Sequence, residues 1–247
     1  MIGDLRAETV HIEGAGGDRV EAYLAQPLDV TPTGGVVVIH HMPGYDRGTL
    51  EITRRFAAAG YLAICPNLYF REAPGADPDD AAATARASGG VPDERLVGDV
   101  AGAAAHLRSL PSSNGKVGTI GYCSGGRQSF LAAAAVDVDA AVDCYGAFVL
   151  DAPPAGFPLQ VGPLRDRVPQ LHAPVLGLFG NEDSHPGPAE VDELDQLLTA
   201  AGKEHEFHRY DGAGHAFFDV SRPSYRPEAA NDGWERVRSF FGRHLSA

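Results

Sequence analysis

The chain is poor in positive charge. It has 20 Lys and Arg against 33 Asp and Glu, a net charge of −13. Nucleic-acid binding needs a basic face, so that class is set aside, and nothing draws the chain to an anionic membrane or to anions in general. Long apolar runs are missing too; none approaches the roughly 20 residues that span a bilayer. Met1-Ile2-Gly3-Asp4 lacks the basic-then-apolar order of a secretory signal. Cysteine is scarce. Cys65, Cys123 and Cys144 have neither paired nor metal-type spacing, which excludes a disulfide framework and fits a reducing cytoplasm, where a lone cysteine is a candidate nucleophile. There is no His-Glu-x-x-His, and the His40-His41 pair has no second ligand pair at metal spacing, so no metal is expected. No repeat, low-complexity tract or linker divides the chain, and residues 1–247 are expected to form one domain. Nothing in the pattern speaks to oligomeric state.

What is present reads as strands alternating with helices. Thr9–Glu13 and Arg19–Ala25 alternate polar and apolar residues around Gly14, Gly16 and Gly17, the pattern of an antiparallel hairpin at a sheet edge. After a loop over Pro27–Gly35, Val36–Ile39 is a continuous apolar run, as are Tyr61–Cys65 and Val175–Phe179; such runs suit strands buried on both faces. Helices are expected over Leu50–Ala59 with Gly60 as its cap, over Pro92–Leu110, after Cys123, over Ala189–Ala201 and over Pro227–Leu245. Further strands are expected at Val117–Ile120, Asp139–Asp143 and Glu204–Tyr210. Two segments have no period: Pro66–Asp80, read as a lid or wall over the site, with Asp77–Asp80 as a solvated loop, and Asp151–Pro174. The sum is an α/β fold with a mostly parallel central sheet, helices on both faces and an N-terminal antiparallel hairpin.

Chemistry concentrates at Gly121-Tyr-Cys-Ser-Gly-Gly126. A β-branched strand leads into it and an alanine-rich helix leads out, the setting of a nucleophile elbow, Gly-x-Nuc-x-Gly, with Cys123 at its centre. The glycines allow a tight turn, and a helix starting after Cys123 would offer its sulfur free N–H groups and a positive dipole end. Asp183 follows the strand Val175–Phe179, with Glu182 as its rival, and His215 follows the strand Glu204–Tyr210. Nucleophile, acid, histidine is the α/β-hydrolase order. In such a set the thiolate attacks a carbonyl, the imidazole moves the proton, and the carboxylate fixes the imidazole.

Five stretches in order, Cys65-Pro-Asn-Leu-Tyr69, Asn114-Gly-Lys-Val-Gly118, Gly121–Gly126, Gly180-Asn-Glu-Asp183 and Gly214-His-Ala-Phe217, make the chain resemble the dienelactone hydrolase family from about Val10 to Leu245. The resemblance implies an α/β-hydrolase fold, a triad on Cys123, Asp183 and His215, and an oxyanion hole from the backbone N–H groups of Met42 and Ser124. The family has a glutamate in the loop after the first parallel strand, which helps to ionise the cysteine; His41 stands there, expected either to keep Cys123 ionised or to contact substrate. The family's substrate-carboxylate arginine has no match at Phe217-Phe218-Asp219; Arg222 lies further on, and Arg71 or Arg86 could supply the cation. Tyr122, inside the elbow, could help line the site. Cys65 and Cys144 are expected to be core fillers.

The expectation is a cofactor-free hydrolase of a small ester or lactone, working through an acyl-cysteine, with its acyl pocket built from Pro66–Asp80 and Asp151–Pro174. The alternatives are a thioesterase or acyltransferase on the same triad, a non-catalytic ligand-binding relative, and a redox-sensing thiol, against which the absence of a resolving cysteine near Cys123 counts.

Overall fold

The computed structural model describes residues 4–28 and 32–246; residues 29–31 of the expected Pro27–Gly35 loop and Met1–Gly3 lie outside them. Among the described residues eight strands form one sheet. They are β1 (Leu5–Glu13), β2 (Arg19–Pro27), β3 (Thr33–Ile39), β4 (Leu62–Pro66), β5 (Ser113–Tyr122), β6 (Ala140–Cys144), β7 (Val175–Gly180) and β8 (His205–Tyr210), in the order β1-β2-β4-β3-β5-β6-β7-β8. β1 pairs antiparallel with β2, and β2 antiparallel with β4. From β4 through β8 every pairing is parallel. The hairpin and the parallel run thus form as the patterning implied.

Among the described residues six α-helices cover the sheet: α1 (Arg47–Ala58), α2 (Pro78–Ala87), α3 (Asp93–Ser109), α4 (Ser124–Ala135), α5 (Pro188–Ala200) and α6 (Pro227–His244). The two-residue period of the strands divides the core. Val36 and Val38 face one layer with Phe56 of α1 and Trp234, Val237 and Phe241 of α6. Val37 and Ile39 face the other with Val100 and Leu107 of α3 and Phe130 and Leu131 of α4. With both faces covered, the parallel strands β3, β4 and β7 are almost wholly apolar, and Cys65 of β4 and Cys144 of β6 are fully buried fillers.

Three details differ from expectation for local reasons. α1 starts at Arg47, a turn before Leu50, because Asp46 caps it, accepting from the Thr49 N–H at 2.8 Å. α3 starts at Asp93, with Pro92 in the capping position instead of the first turn. Asp77–Asp80 is the capped start of α2 and not a solvated loop: Asp77 accepts from the Asp79 N–H at 3.2 Å, Pro78 sits in the first turn, and Asp79 and Asp80 face the positive helix end. α2 buries little beyond Ala81, Ala82 and Ala85, so no strong apolar stripe announces it.

Candidate active site

The site is built at the carboxyl ends of β3, β5, β6, β7 and β8, where open α/β sheets place ligands. Between the last residue of β5 and the first of α4, Cys123 alone makes the turn, with φ 57° and ψ −122°. Such backbone costs about 1–3 kcal/mol and persists only where its surroundings hold it. Here they do. The Cys123 N–H donates to the Cys144 carbonyl of β6 at 3.0 Å, and the Cys123 carbonyl accepts from the Gly126 N–H at 2.9 Å. A Cβ on Gly121 would overlap the Gly125 carbonyl, and one on Gly125 would overlap the Ile39 carbonyl of β3. Glycine is required at both positions for strand, turn and helix to approach this closely. The N-terminus of α4 opens directly onto the sulfur.

Asp183 lies just past β7 and is buried, with 2% of its side chain exposed, whereas Glu182 is exposed. Asp183 Oδ1 accepts from the His185 N–H at 2.9 Å, and Oδ2 meets His215 Nδ1 at 2.7 Å. His215 follows β8, and its ring meets Tyr145 edge-on at 5.2 Å between centroids. Burial alone would lower the pKa of His215; the hydrogen bond and charge of Asp183, with those of the Cys123 sulfur, override it and raise the imidazole to about 10. At neutral pH the proton therefore rests on the imidazole, between carboxylate and sulfur.

The loop after β3 forms the facing wall. His40 and His41 are adjacent but have opposite environments. His40 is 2% exposed; its Nδ1 donates to the His41 carbonyl at 3.0 Å, and its Nε2 accepts from the Leu68 N–H at 3.1 Å. Burial pushes it down to about 4, so it is a neutral brace between two loops. Its neighbour Tyr69 meets the ring edge-on at 4.7 Å and donates its hydroxyl to the Met42 carbonyl at 3.1 Å. The Cys65–Tyr69 stretch thereby holds the Met42 loop in place. His41 instead lines the pocket, with Nε2 against Asp46 Oδ2 at 2.7 Å. Burial works against the Asp46 carboxylate, but His41 and Thr49 together hold it well below the usual carboxylate range.

Cys123, His215, Asp183, His41, Met42 and Ser124 all line one pocket of ≈ 300 Å³. Neither the Met42 nor the Ser124 N–H has a protein acceptor among the described residues. The rest of the lining is mainly apolar: Pro43, Ala147 and Phe148, with Phe157 and Leu159 from the Asp151–Pro174 excursion. Phe148 packs on Phe157 and on His185, at 4.8 and 5.3 Å between ring centroids.

Other expected contacts fall elsewhere. Tyr122 does not line the pocket; its ring packs in the core against Tyr145 and Phe218. Arg71 is tied to Asp99 and Asp18 at 2.8 and 2.7 Å, bracing the β1–β2 turn. Arg86 is not a lining residue, and neither is any residue of Pro66–Asp80. That segment runs into α2 and supports the Met42 loop from behind. The arginine that does reach the pocket is Arg222, paired with Asp219 at 2.8 Å. Tyr145, Phe148 and His185 were missed as lining residues. Tyr145 and Phe148 directly follow β6, so the rule that strand carboxyl ends carry the site would have found them. Among the described residues no group of three or more His, Cys, Asp or Glu side chains is arranged to hold a metal.

Comparison with known proteins agrees with this geometry. The family model described as "Dienelactone hydrolase family" matches residues 20–245. A provisionally named carboxymethylenebutenolidase of Escherichia coli K12 is 37% identical over 238 residues, 92% of this chain and 84% of the relative. The carboxymethylenebutenolidase of Pseudomonas putida is 33% identical over 238 residues, 94% of this chain and 95% of the relative. Among solved structures, a provisionally assigned dienelactone hydrolase from Klebsiella pneumoniae superimposes with a TM-score of 0.85 at 31% identity, covering 98% of this chain and 100% of that one.

Proposed function

This chain belongs to the dienelactone hydrolase family, and on that premise we propose that it hydrolyses a small ester or lactone through an acyl-cysteine intermediate. Cys123 is the nucleophile, His215 the acid and base, and Asp183 the group that orients His215. The observation that carries this reading is the Asp183–His215 bond of 2.7 Å, together with the rise of His215 to about 10 beside the Cys123 sulfur. A protonated imidazole and a helix N-terminus beside the sulfur both attract negative charge, which suits attack by sulfur on a carbonyl.

In the first half-reaction the thiolate adds to the ester carbonyl, and the oxyanion is held by the Met42 and Ser124 N–H groups. Both donors are free of protein acceptors among the described residues, and Met42 is held by Tyr69. The C–O bond then breaks as His215 gives its proton to the leaving oxygen. Water cleaves the resulting thioester, releasing the acid and the thiolate. Activated esters, enol-lactones and thioesters suit such a nucleophile better than amides, because the leaving group must depart more readily than the sulfur.

The pocket narrows the substrate. Phe148, Phe157, Leu159 and Pro43 favour a flat, apolar group beside the carbonyl, and Arg222, already paired with Asp219, is the one lining arginine among the described residues. All three cysteines are free thiols, which suits a reducing compartment such as the cytoplasm. Among the described residues no helix is long and apolar enough to cross a membrane.

Turnover of p-nitrophenyl acetate, followed with acid quenching and intact-mass analysis, tests the reading. The expected result is an acetyl adduct that maps to Cys123 and is lost with turnover in Cys123→Ala. Turnover surviving in Cys123→Ala would refute it.

A further inference from the structure

Cys123 is approached from two sides of the sheet. His215 and Asp183 come from the β7–β8 side, and His41 with Asp46 from the β3 side. The second pair matches the first in contact, imidazole to carboxylate at 2.7 Å in both, but through Nε2 of His41 where His215 uses Nδ1. Asp46 is firmly held, because its Oδ1 accepts from both the Thr49 N–H and the Thr49 hydroxyl, at 2.8 and 3.0 Å, at the start of α1. Its Oδ2 is thereby turned toward His41. With Nε2–H donating to Asp46, the lone pair of a neutral His41 lies on Nδ1, which has no protein partner among the described residues. The ring lines the same pocket as Cys123.

We propose that His41, positioned by Asp46, is a second general base, one that activates the water cleaving the acyl-cysteine. The inference rests on the acyl-cysteine reading above. Its chemical reason is the fate of a lactone's leaving group. Ring opening transfers the His215 proton to an oxygen that stays tethered to the acyl group. The ring-opened chain therefore remains beside His215, in the path of water arriving there. A base on the opposite wall has open access.

In this step a water oxygen adds to the thioester carbon while His41 Nδ1 takes one water proton. The oxyanion collapses, the C–S bond breaks, and Cys123 leaves as thiolate. The new carboxylic acid returns a proton to His215, restoring the thiolate–imidazolium pair, and His41 gives its proton to solvent. Water is the only co-reactant.

Dihydrocoumarin separates the two half-reactions. Ring opening exposes a phenol absorbance while the opened acyl chain stays on the enzyme. Stopped-flow absorbance and acid-quenched intact mass would be recorded for wild type, His41→Ala and Asp46→Asn. Asp46→Asn keeps an oxygen for the Thr49 cap, and thermal denaturation checks that the fold survives. In both variants the first-turnover ring opening should stay within about threefold of wild type, while steady-state turnover falls on the order of 10²-fold. A species heavier by the full substrate mass should accumulate on Cys123. If ring opening and turnover fall together, or neither falls, His41 is not the deacylation base; an adduct that forms on Cys123 and is lost in Cys123→Ala would still uphold the acyl-cysteine reading. Turnover without any adduct, surviving in Cys123→Ala, would overturn both.

Discussion

Asp183→Asn tests the proposed triad through a change of two atoms' hydrogen-bonding sense. Asp183 Oδ1 accepts from the His185 N–H at 2.9 Å. An asparagine at 183 must keep its oxygen there, since turning its NH₂ toward that N–H would bury two facing donors. The NH₂ then occupies the Oδ2 position, 2.7 Å from His215 Nδ1. Nδ1 is forced to accept, its proton moves to Nε2, and the ring can no longer take a proton on the side facing Cys123. The rise of His215 from 6.5 to about 10 corresponds to about 5 kcal/mol if undiminished. With 36% of the His215 side chain exposed, solvent screening leaves about half of that, shared between Asp183 and Cys123. Loss of the Asp183 share lowers the ratio of imidazolium to imidazole by roughly 10-fold, and the inverted tautomer extends the loss of turnover to about 10²–10⁴-fold. The assays are p-nitrophenyl acetate turnover and the iodoacetamide alkylation rate of Cys123 across pH 5–9. Alkylation at neutral pH should slow, because the carboxylate that stabilises a positive imidazole beside the sulfur is gone. Turnover within about threefold of wild type, with an unchanged alkylation profile, would refute the reasoning.

Other consequences of the structure are as direct. Asp143, buried behind the elbow with Oδ2 unpartnered among the described residues, is pushed up to about 7 by burial, against the Gly146 N–H that Oδ1 accepts. The fold therefore binds this proton more tightly than the unfolded chain does, so this contribution to stability is whole below about pH 4 and is lost as pH rises through about 7, at a cost of about 4 kcal/mol at most. Urea midpoints should accordingly show Asp143→Asn gaining on wild type at pH 8 but not at pH 4; an equal difference at both would refute the assignment. Gly125→Ala drives a methyl into the Ile39 carbonyl and should cost about 3 kcal/mol or more, seen as a lowered thermal midpoint together with lost turnover. Phe157→Ala removes one aromatic wall; kcat/KM for a phenyl-bearing ester should fall about 10-fold relative to an acetyl ester, and equal losses on both would place Phe157 outside the acyl pocket.

The strands were legible because burial on both faces leaves so little choice of residue. Tyr61–Cys65 and Val175–Phe179 lie within a residue of β4 and β7, and Val36–Ile39 is the apolar end of β3, which starts three residues earlier at Thr33. The elbow was legible because close approach tolerates only glycine at 121 and 125. Pocket walls obey no such rule. Phe157 and Leu159 come from a proline-rich segment without period, and what aims Phe157 is packing against Phe148, a contact between residues with no shared pattern. Arg71 and Arg222 show the same limit. Both are arginines in irregular segments, and only the location of Asp99, fully buried on α3, decides that Arg71 braces a turn while Arg222 reaches the pocket.

The adjacent histidines at the end of β3 carry the sharpest lesson about the site. Alternation at a strand's end sends neighbouring side chains in opposite directions, so a pair such as His40-His41 cannot share a role. His40 goes inward, and burial without a counter-charge makes it neutral; with the Leu68 N–H supplying Nε2 and the His41 carbonyl taking Nδ1–H, both ring nitrogens are consumed by structure. His41 goes outward to the pocket, where one nitrogen is held by a carboxylate and the other is left over. A ring with both nitrogens engaged can only position its neighbours, whereas a ring with one nitrogen free and the other anchored can exchange a proton. His172 also has one ring nitrogen engaged, Nε2 on the Val136 carbonyl at 2.9 Å, but its anchor is a carbonyl and it does not line the pocket, whereas His215 is anchored by the Asp183 carboxylate. What distinguishes the two histidines that face the nucleophile is the buried or half-buried carboxylate behind each. Asp183 and Asp46 are thus as much a part of the candidate site as the imidazoles they hold.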